Sequence, residues 1–345
     1  MYNFDEYKKL GEPDKKEKSE NWEIAIGLQQ VDGLTPSNYL IETAKANIEG
    51  DITFSEVKER IHNYYKTSIA RKEIENRTEE ADKVSARIAE ILSEKTFVFR
   101  PSQYISIHKR IFEGFKYAGK IRTYNITKDE WVLQGKTVLY ASADTILETL
   151  DYDFNREKSF RYKNLDEKSA IYHIADFISG IWQIHPFEEG NTRATAVFVI
   201  KYLQTFGYNV NNDLFSQHSW YFRNALVRAN YSDLQKKIYP NTQFLYAFFD
   251  NLLFGAKNEL KNRTMLVEYE GQNVPINVPI NEGLQNVLQY IKENNSITAF
   301  EISEKLHLSE KTIKRRIKEL KDTHFIERVG SNKTGFWKVL KDVEI

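Results

Sequence analysis

Residues 185–193 read HPFEEGNTR and bring a histidine, two carboxylates, a Gly-Asn pair and an arginine together within nine positions. His185, with an ordinary pKa of about 6.5, is the side chain best suited to take a hydroxyl proton at neutral pH. Glu189 offers a hard oxygen to magnesium, which takes one or two carboxylates and completes its shell with phosphates and water. Gly190 permits close backbone approach, and Arg193 can add a charge-assisted bond to a phosphate oxygen. A helix starts near Thr192, so its first amides lack intrahelical partners and carry the positive end of the dipole. The set describes base-assisted attack on a metal-bound polyphosphate. His62, His108 and His173 have no such company and read as hydrogen-bonded structural groups.

Two apolar segments must hold this loop. Before it, EKSAIYHIADFISGIWQI (167–184) places Ile171, Ile174, Ala175, Ile178, Ile181 and Trp182 on one helical face; after it, TRATAVFVIKYLQTFG (192–207) is apolar nearly all round, as a helix enclosed by others must be. Helices are also expected over 35–50, 52–66, 70–93, up to about 115, 142–154, and in two further segments to about 263. Residues 119–142, with β-branched and aromatic residues among polar ones and Gln134-Gly135 at a turn, predict a hairpin. Residues 1–34, charged at GEPDKKEKSE, predict an N-terminal arm, with order beginning near Trp22. Residues 264–283, with two prolines, predict a linker.

HPFEEGNTR resembles the signature of the Fic-domain family, HPFx(D/E)GN(G/K)R, and a mainly α chain with a hairpin ahead of the motif suits that helical fold. Over residues 35–263 the resemblance implies transfer of AMP from ATP to a Tyr, Ser or Thr hydroxyl of a target protein or of the chain itself, with release of pyrophosphate. It implies His185 as general base, Glu189 as the Mg2+ ligand, Gly190, Asn191 and Thr192 as part of an anion nest, Arg193 as a phosphate contact, and Phe187 as a buried anchor. The hairpin becomes a flap that aligns the target segment by strand pairing, with Asn125, Thr127 and Lys128 reaching nucleotide or target. WYFRNALVRANY (220–231) resembles the helix closing the adenosine pocket, which puts Tyr221, Phe222 and Asn230 beside base and sugar. Most active members carry a second arginine three residues after the first, where this chain has Ala196; Thr192 also replaces Gly or Lys. Loss of a charged contact costs about 1.5–3 kcal/mol, and Lys128 is expected to compensate. With a different donor, the chain would move or remove another phosphate-containing group. Outside enzymes, the alternative is a DNA-binding regulator whose Fic domain senses a nucleotide.

ANIEG (46–50) resembles half of the family's inhibitory helix pattern, (S/T)xxxE(G/N). Glu49 and Gly50 match, Lys45 stands where Ser or Thr is usual, and Gly50 equally suits the end of a helix. The resemblance implies that Glu49 restrains the phosphate site.

From 284 to 345 the spacing predicts a winged helix, with helices at 284–293, 299–306 and 309–322 followed by two strands around a Gly-Ser-Asn-Lys wing. Here Lys and Arg outnumber Asp and Glu by twelve to nine. Lys311, Lys314, Arg315, Lys318, Arg328 and Lys333 are candidates for DNA phosphates, while Ile313, Ile317 and Leu320 pack inward. A protein-docking use of this module stays open.

Over the whole chain of 345 residues, Lys plus Arg equals Asp plus Glu at 49 each, so attraction to nucleic acid must be local. The absence of cysteine excludes disulfides, thiolate metal sites and a cysteine nucleophile. No apolar run reaches the roughly 20 residues of a membrane span. These features lead us to expect a cytoplasmic protein without membrane contact; a homo-oligomer is neither required nor excluded.

Overall fold

The computed structural model describes residues 13–67, 77–210, 213–267, 282–306, 308–322, 325–329 and 335–339. The chain divides into two compact units, Met1–Glu270 and Gly271–Ile345, each with its own apolar core. Both are mainly α.

The first unit is built from helices α1 (Pro13–Gly27), α2 (Asn38–Glu49), α3 (Phe54–Lys66), α4 (Thr78–Ser93), α5 (Pro101–Ile111), α6 (Ile146–Lys158), α7 (Glu167–Ile184), α8 (Asn191–Thr205), α9 (Leu214–Ala229) and α10 (Gln243–Phe254). Local chemistry sets several of their ends. Ser37 caps α2 by accepting from the Leu40 amide (3.1 Å), and Gly50 closes it in the left-handed region. Thr53 and Glu56 form a reciprocal capping box on α3. Asp166 accepts from the Ser169 amide at the start of α7. Helix α8 is buried continuously from Asn191 to Leu203, as its apolar sequence requires, and packs against α4, α5 and α7. The six apolar residues marked on α7 are all buried.

Three expectations change. Residues 13–27 are not an arm: Trp22, Ile24, Ala25 and Ile26 are buried and Trp22 donates to Asn47 (3.0 Å), so α1 is part of the core beneath its charged N-terminal turn. Its end lies so close to α9 that a Cβ on Gly27 would fall 2.3 Å from the Ser216 Cα. The segment 119–142 is not a two-stranded hairpin. It is a loop with one internal antiparallel bridge, Glu130 to Lys136, around a 3-10 turn at Trp131–Leu133, and a second bridge from Ile121 to Phe187. Burial explains this: Val132, Leu133 and Val138 turn into the core while Trp131 and Leu139 stay exposed, so the pleat is broken. Finally, 264–267 belong to the first unit, since Met265 and Val267 are buried and the Val267 amide bonds to Val132 O (2.9 Å). The rest of the expected linker, except for 282 and 283, lies outside the described residues.

The second unit contains α11 (Glu282–Glu293), α12 (Ala299–Leu306), α13 (Glu310–Asp322) and an antiparallel pair, β1 (Ile326–Val329) with β2 (Phe336–Val339), Arg328 opposite Trp337. Ile313, Ile317 and Leu320 enter its core, and Ser309 caps α13 through the Thr312 amide (3.2 Å). No helix among the described residues is long and apolar enough to cross a membrane.

Candidate active site

The motif loop joins α7 to α8 between two left-handed residues, His185 (φ 51°) and Gly190 (φ 76°). Only glycine suits the second. A Cβ there would meet the Phe112 ring at 2.2 Å in a backbone region that side chains avoid. Asn191 closes the loop on itself: its side chain accepts from the Phe187 amide (3.0 Å) and donates to Phe187 O (2.8 Å). Phe187 lies flat on the His108 ring, with centroids 3.6 Å apart. His108 is structural, as expected. Its Nδ1 accepts from the Gly119 amide (2.9 Å), so Nε2 carries the proton and donates to Glu189 O (2.9 Å). Burial pushes its pKa down to about 4.

Arg122 fixes the other side of the loop. Its buried guanidinium donates to the carbonyls of His185 (2.8 Å), Ile184 (3.2 Å), Tyr124 (2.8 Å) and Ala141, and its amide donates to Pro186 O (2.9 Å). These bonds satisfy the last carbonyls of α7 and tie the segment 119–142 to the motif.

His185 is 3% exposed, and neither ring nitrogen has a hydrogen-bond partner among the described residues. Tyr140 covers it at 4.2 Å between ring centroids, and Trp182 meets it edge-on at 5.3 Å. Tyr140 itself donates to Glu130 (3.2 Å), a wholly buried carboxylate paired with Arg223 at 2.6 Å. Burial, and then the Lys128, Arg223 and Arg122 charges, hold the His185 pKa well below its usual 6.5. The imidazole is therefore neutral, with its lone pair available, at neutral pH.

Arg193 is in the opposite condition. It is wholly buried; Nη1 donates to Gln29 (3.0 Å), Nη2 donates to Glu80 (2.8 Å), and its guanidinium lies over Phe112 at 4.7 Å. Asp32 Oδ2 also comes within 2.8 Å of Nη2, at ion-pair distance but without the alignment of a hydrogen bond. Two carboxylates thus hold the arginine expected to contact a phosphate. The intrahelical ladder of α8 begins only with the Ala194 amide bonding to Gly190 O (3.0 Å), which leaves the helix start an anion-binding end.

Beside these groups lies a cavity of about 530 Å³ whose walls include Asp32, Arg77, Lys128, Glu189, Trp220 and Arg223. Lys128 pairs with Glu189 at 3.6 Å, so the structure brings both together. Among the described residues, no group of three or more His, Asp or Glu converges to hold a metal. The partly exposed Glu189 fits the single-carboxylate role in a magnesium site whose other ligands are phosphate and water.

Other candidates fall elsewhere. Thr192 is buried, its hydroxyl accepting from Trp182 Nε1 (3.0 Å). Tyr221 and Phe222 are core residues against Phe248, and Asn230 donates to Ser179 (2.8 Å); the ring that reaches the cavity is Trp220. Asn125 pins the loop by accepting from the Ala143 amide (2.8 Å), and Thr127 is exposed. Glu49 is half-exposed and paired with Lys15 (2.8 Å), while Gly50 ends the helix; the carboxylates on Arg193 come from Asp32 and Glu80 instead. The sequence reading missed Asp32, Arg77, Glu80, Trp220 and Arg223. The Asp32-Gly33 step was the one local signal for any of them. In the second unit Lys311, Lys314, Arg315 and Lys318 are exposed on α13, and Arg328 lies over Trp337 at 4.7 Å. Lys333 lies outside the described residues.

Residues 98–203 match the Fic/DOC family, and residues 284–327 match the family described as winged helix-turn-helix DNA-binding. Over 108 residues, 31% of this chain, the sequence is 27% identical to protein adenylyltransferase VbhT of Bartonella schoenbuchensis, and it spans about a fifth (21%) of that protein. The N-terminal FIC domain of the Bep8 protein of Bartonella sp. 1-1C, a VirB-translocated effector, aligns over 54% of this chain and 79% of that one at 18% identity, with a TM-score of 0.32.

Proposed function

We propose that this chain, which carries a Fic/DOC domain and a C-terminal winged helix-turn-helix, is a protein adenylyltransferase held in a restrained state by its own carboxylates. The adenylyltransferase relative supports the class of reaction. The observation that carries the restraint is the pairing of buried Arg193 with Asp32 and Glu80 at the start of α8, where carboxylates occupy an anion's place.

In this reading a target hydroxyl displaces Tyr140 and gives its proton to neutral His185. Its oxygen forms a bond to the α-phosphorus of ATP. The bond from that phosphorus to the bridging oxygen breaks, and pyrophosphate leaves with the electron pair. The α8 amides and Arg193 hold the developing charge. Magnesium on Glu189, when bound, neutralises phosphate charge. The restraint is local: α1 is too well buried to leave, whereas Asp32 is 23% exposed and stands beside Gly33. Movement of that carboxylate alone frees one side of Arg193.

Labelled ATP with magnesium tests this. Asp32→Ala should incorporate more label than the wild type, and Asp32→Ala/His185→Ala none; equal labelling of wild type and Asp32→Ala would remove Asp32 from the restraint.

A second reading is favoured by the closed Arg193 and by Ala196, which lies wholly in the core: a DNA-binding regulator with a nucleotide-sensing Fic domain. Absence of label from every protein would support it. In both readings α13 supplies phosphate contacts, so DNA affinity should fall with salt, and Lys314→Ala should reduce the slope by about one. No gel shift in 50 mM salt, about the lower end of the useful range, would assign the second unit to protein docking.

A further inference from the structure

We infer that Arg77 and Arg223 are the cations that bind the terminal phosphates of the donor, a site for which the motif helix itself offers no second arginine. The inference rests on the adenylyltransferase reading for the identity of the donor, and on the cavity alone for its affinity for polyphosphate.

Three cations reach the cavity from three separate elements: Arg77 from the start of α4, Lys128 from the 119–142 loop and Arg223 from α9. They face two carboxylates, Asp32 and Glu189. Lys128 is drawn to Glu189, within 3.6 Å. All three are paired, Arg77 with Glu80 and Arg223 with Glu130, and of them Arg77 and Arg223 carry the guanidinium fork that matches phosphate oxygens.

Arg77 is already aimed. Its Nε and Nη2 both donate to Glu80 Oε2, at 3.0 and 2.7 Å, while Glu80 Oε1 accepts from Arg193 Nη2 at 2.8 Å. A single buried carboxylate therefore sets the two arginines side by side, one wholly buried at the start of α8 and the other half-exposed at the cavity. A phosphate chain whose first group sits at Arg193 extends past Glu80 toward Arg77. Arg223 is fixed as firmly: Nη1 lies 2.6 Å from Glu130, and its guanidinium stacks over Trp220 at 5.1 Å. Pairing with a carboxylate that is wholly buried keeps the arginine charged and immobile.

The charge balance favours an extended polyanion. With magnesium held by Glu189, Arg77, Lys128 and Arg223 would leave a net positive cavity even with Glu80 and Glu130 counted against their arginines, and the leaving pyrophosphate gains negative charge as its bond to the α-phosphorus breaks. Cations placed at its far end stabilise that change more than they stabilise the bound ground state.

The test is calorimetric titration of the full chain with sodium tripolyphosphate, ATP and AMP, each with magnesium, together with the KM for ATP in the labelling assay. Arg77 is half-exposed, and Arg77→Met leaves Glu80 its bond from Arg193. Arg223→Met is made together with Glu130→Gln, so that no buried carboxylate is left unpaired. Each variant should weaken tripolyphosphate by about tenfold or more and raise the KM for ATP alike, with AMP affinity unchanged. Unchanged tripolyphosphate affinity in both variants, or an equal loss for AMP, overturns the assignment. If transfer persists with unaltered KM, the clamp fails and the enzyme reading stands. If no protein transfers label but the variants still lose tripolyphosphate, the clamp stands and the enzyme reading fails.

Discussion

His185 and Arg193 are eight residues apart on one loop and helix, both buried, and in opposite electrostatic conditions. His185 has two ring nitrogens and no partner for either among the described residues. Arg193 has three polar side chains around it, two of them charged. An unpaired buried imidazole costs roughly 1–3 kcal/mol relative to a paired one, and a buried guanidinium without a counter-charge costs more. The site tolerates the first and has removed the second. In the proposed reaction the histidine would be ready for a hydroxyl, whereas the arginine would have to exchange carboxylate for phosphate. That reading puts the restraint on the donor side more than on the base.

The largest effect should follow from deleting the base. In the Asp32→Ala background, His185→Ala should lower the rate of AMP transfer by about 10²–10⁴-fold, the usual range for a general base, while tripolyphosphate affinity stays within about twofold. Loss of both together would mean that the two sides are not separable, and the contrast between them would fail.

Histidine burial gives the next largest. His108 has a folded pKa of about 4 against 6.5 for the free side chain. Because the folded value is depressed, the unfolded chain binds more protons between these limits, and stability must fall as pH drops from 6.5 toward 4. From pH 7 to 5 the loss from this residue is about 2 kcal/mol. His185 shifts in the same direction and adds to it. Urea unfolding at the two pH values should show the fall, and His108→Gln should flatten it. If that variant keeps the full wild-type slope, His108 is not held neutral by burial.

Much of this was legible in the sequence for a physical reason. The 3.6-residue pattern of α7, the all-round apolar run of α8 and the Ser37 and Gly50 ends of α2 are local, and so are the loop chemistry of HPFEEGNTR and the spacing of α11 to α13. What was not legible depends on partners brought from far along the chain. Asp32 and Glu80 lie 161 and 113 residues from Arg193, and no local pattern shows which acid will face which arginine. Glu49 has the better motif and the wrong neighbours. The loop at 119–142 failed for a related reason: β-branched residues predict a strand only while alternate side chains share one environment, and Val132 beside Leu133, both buried, breaks that rule.

The smallest effect sharpens the contrast most. Gln29 is the neutral partner of Arg193: its Oε1 accepts from Nη1 at 3.0 Å, and its own amide donates to Ala25 O at 2.9 Å. Gln29→Met keeps the volume and removes both bonds, but it leaves Asp32 and Glu80 to neutralise the guanidinium. If Asp32 and Glu80 are enough to neutralise Arg193, the variant should lose only about 1.5–3 kcal/mol in urea unfolding, the value of a hydrogen bond to a charged group whose charge stays compensated. It should bind tripolyphosphate no worse than the wild type, because no charge at the helix start has changed. A loss of about 4 kcal/mol or more, the order seen when a buried charge loses its partner, would show instead that the carboxylates do not satisfy Arg193. The arginine would then be as starved as the histidine.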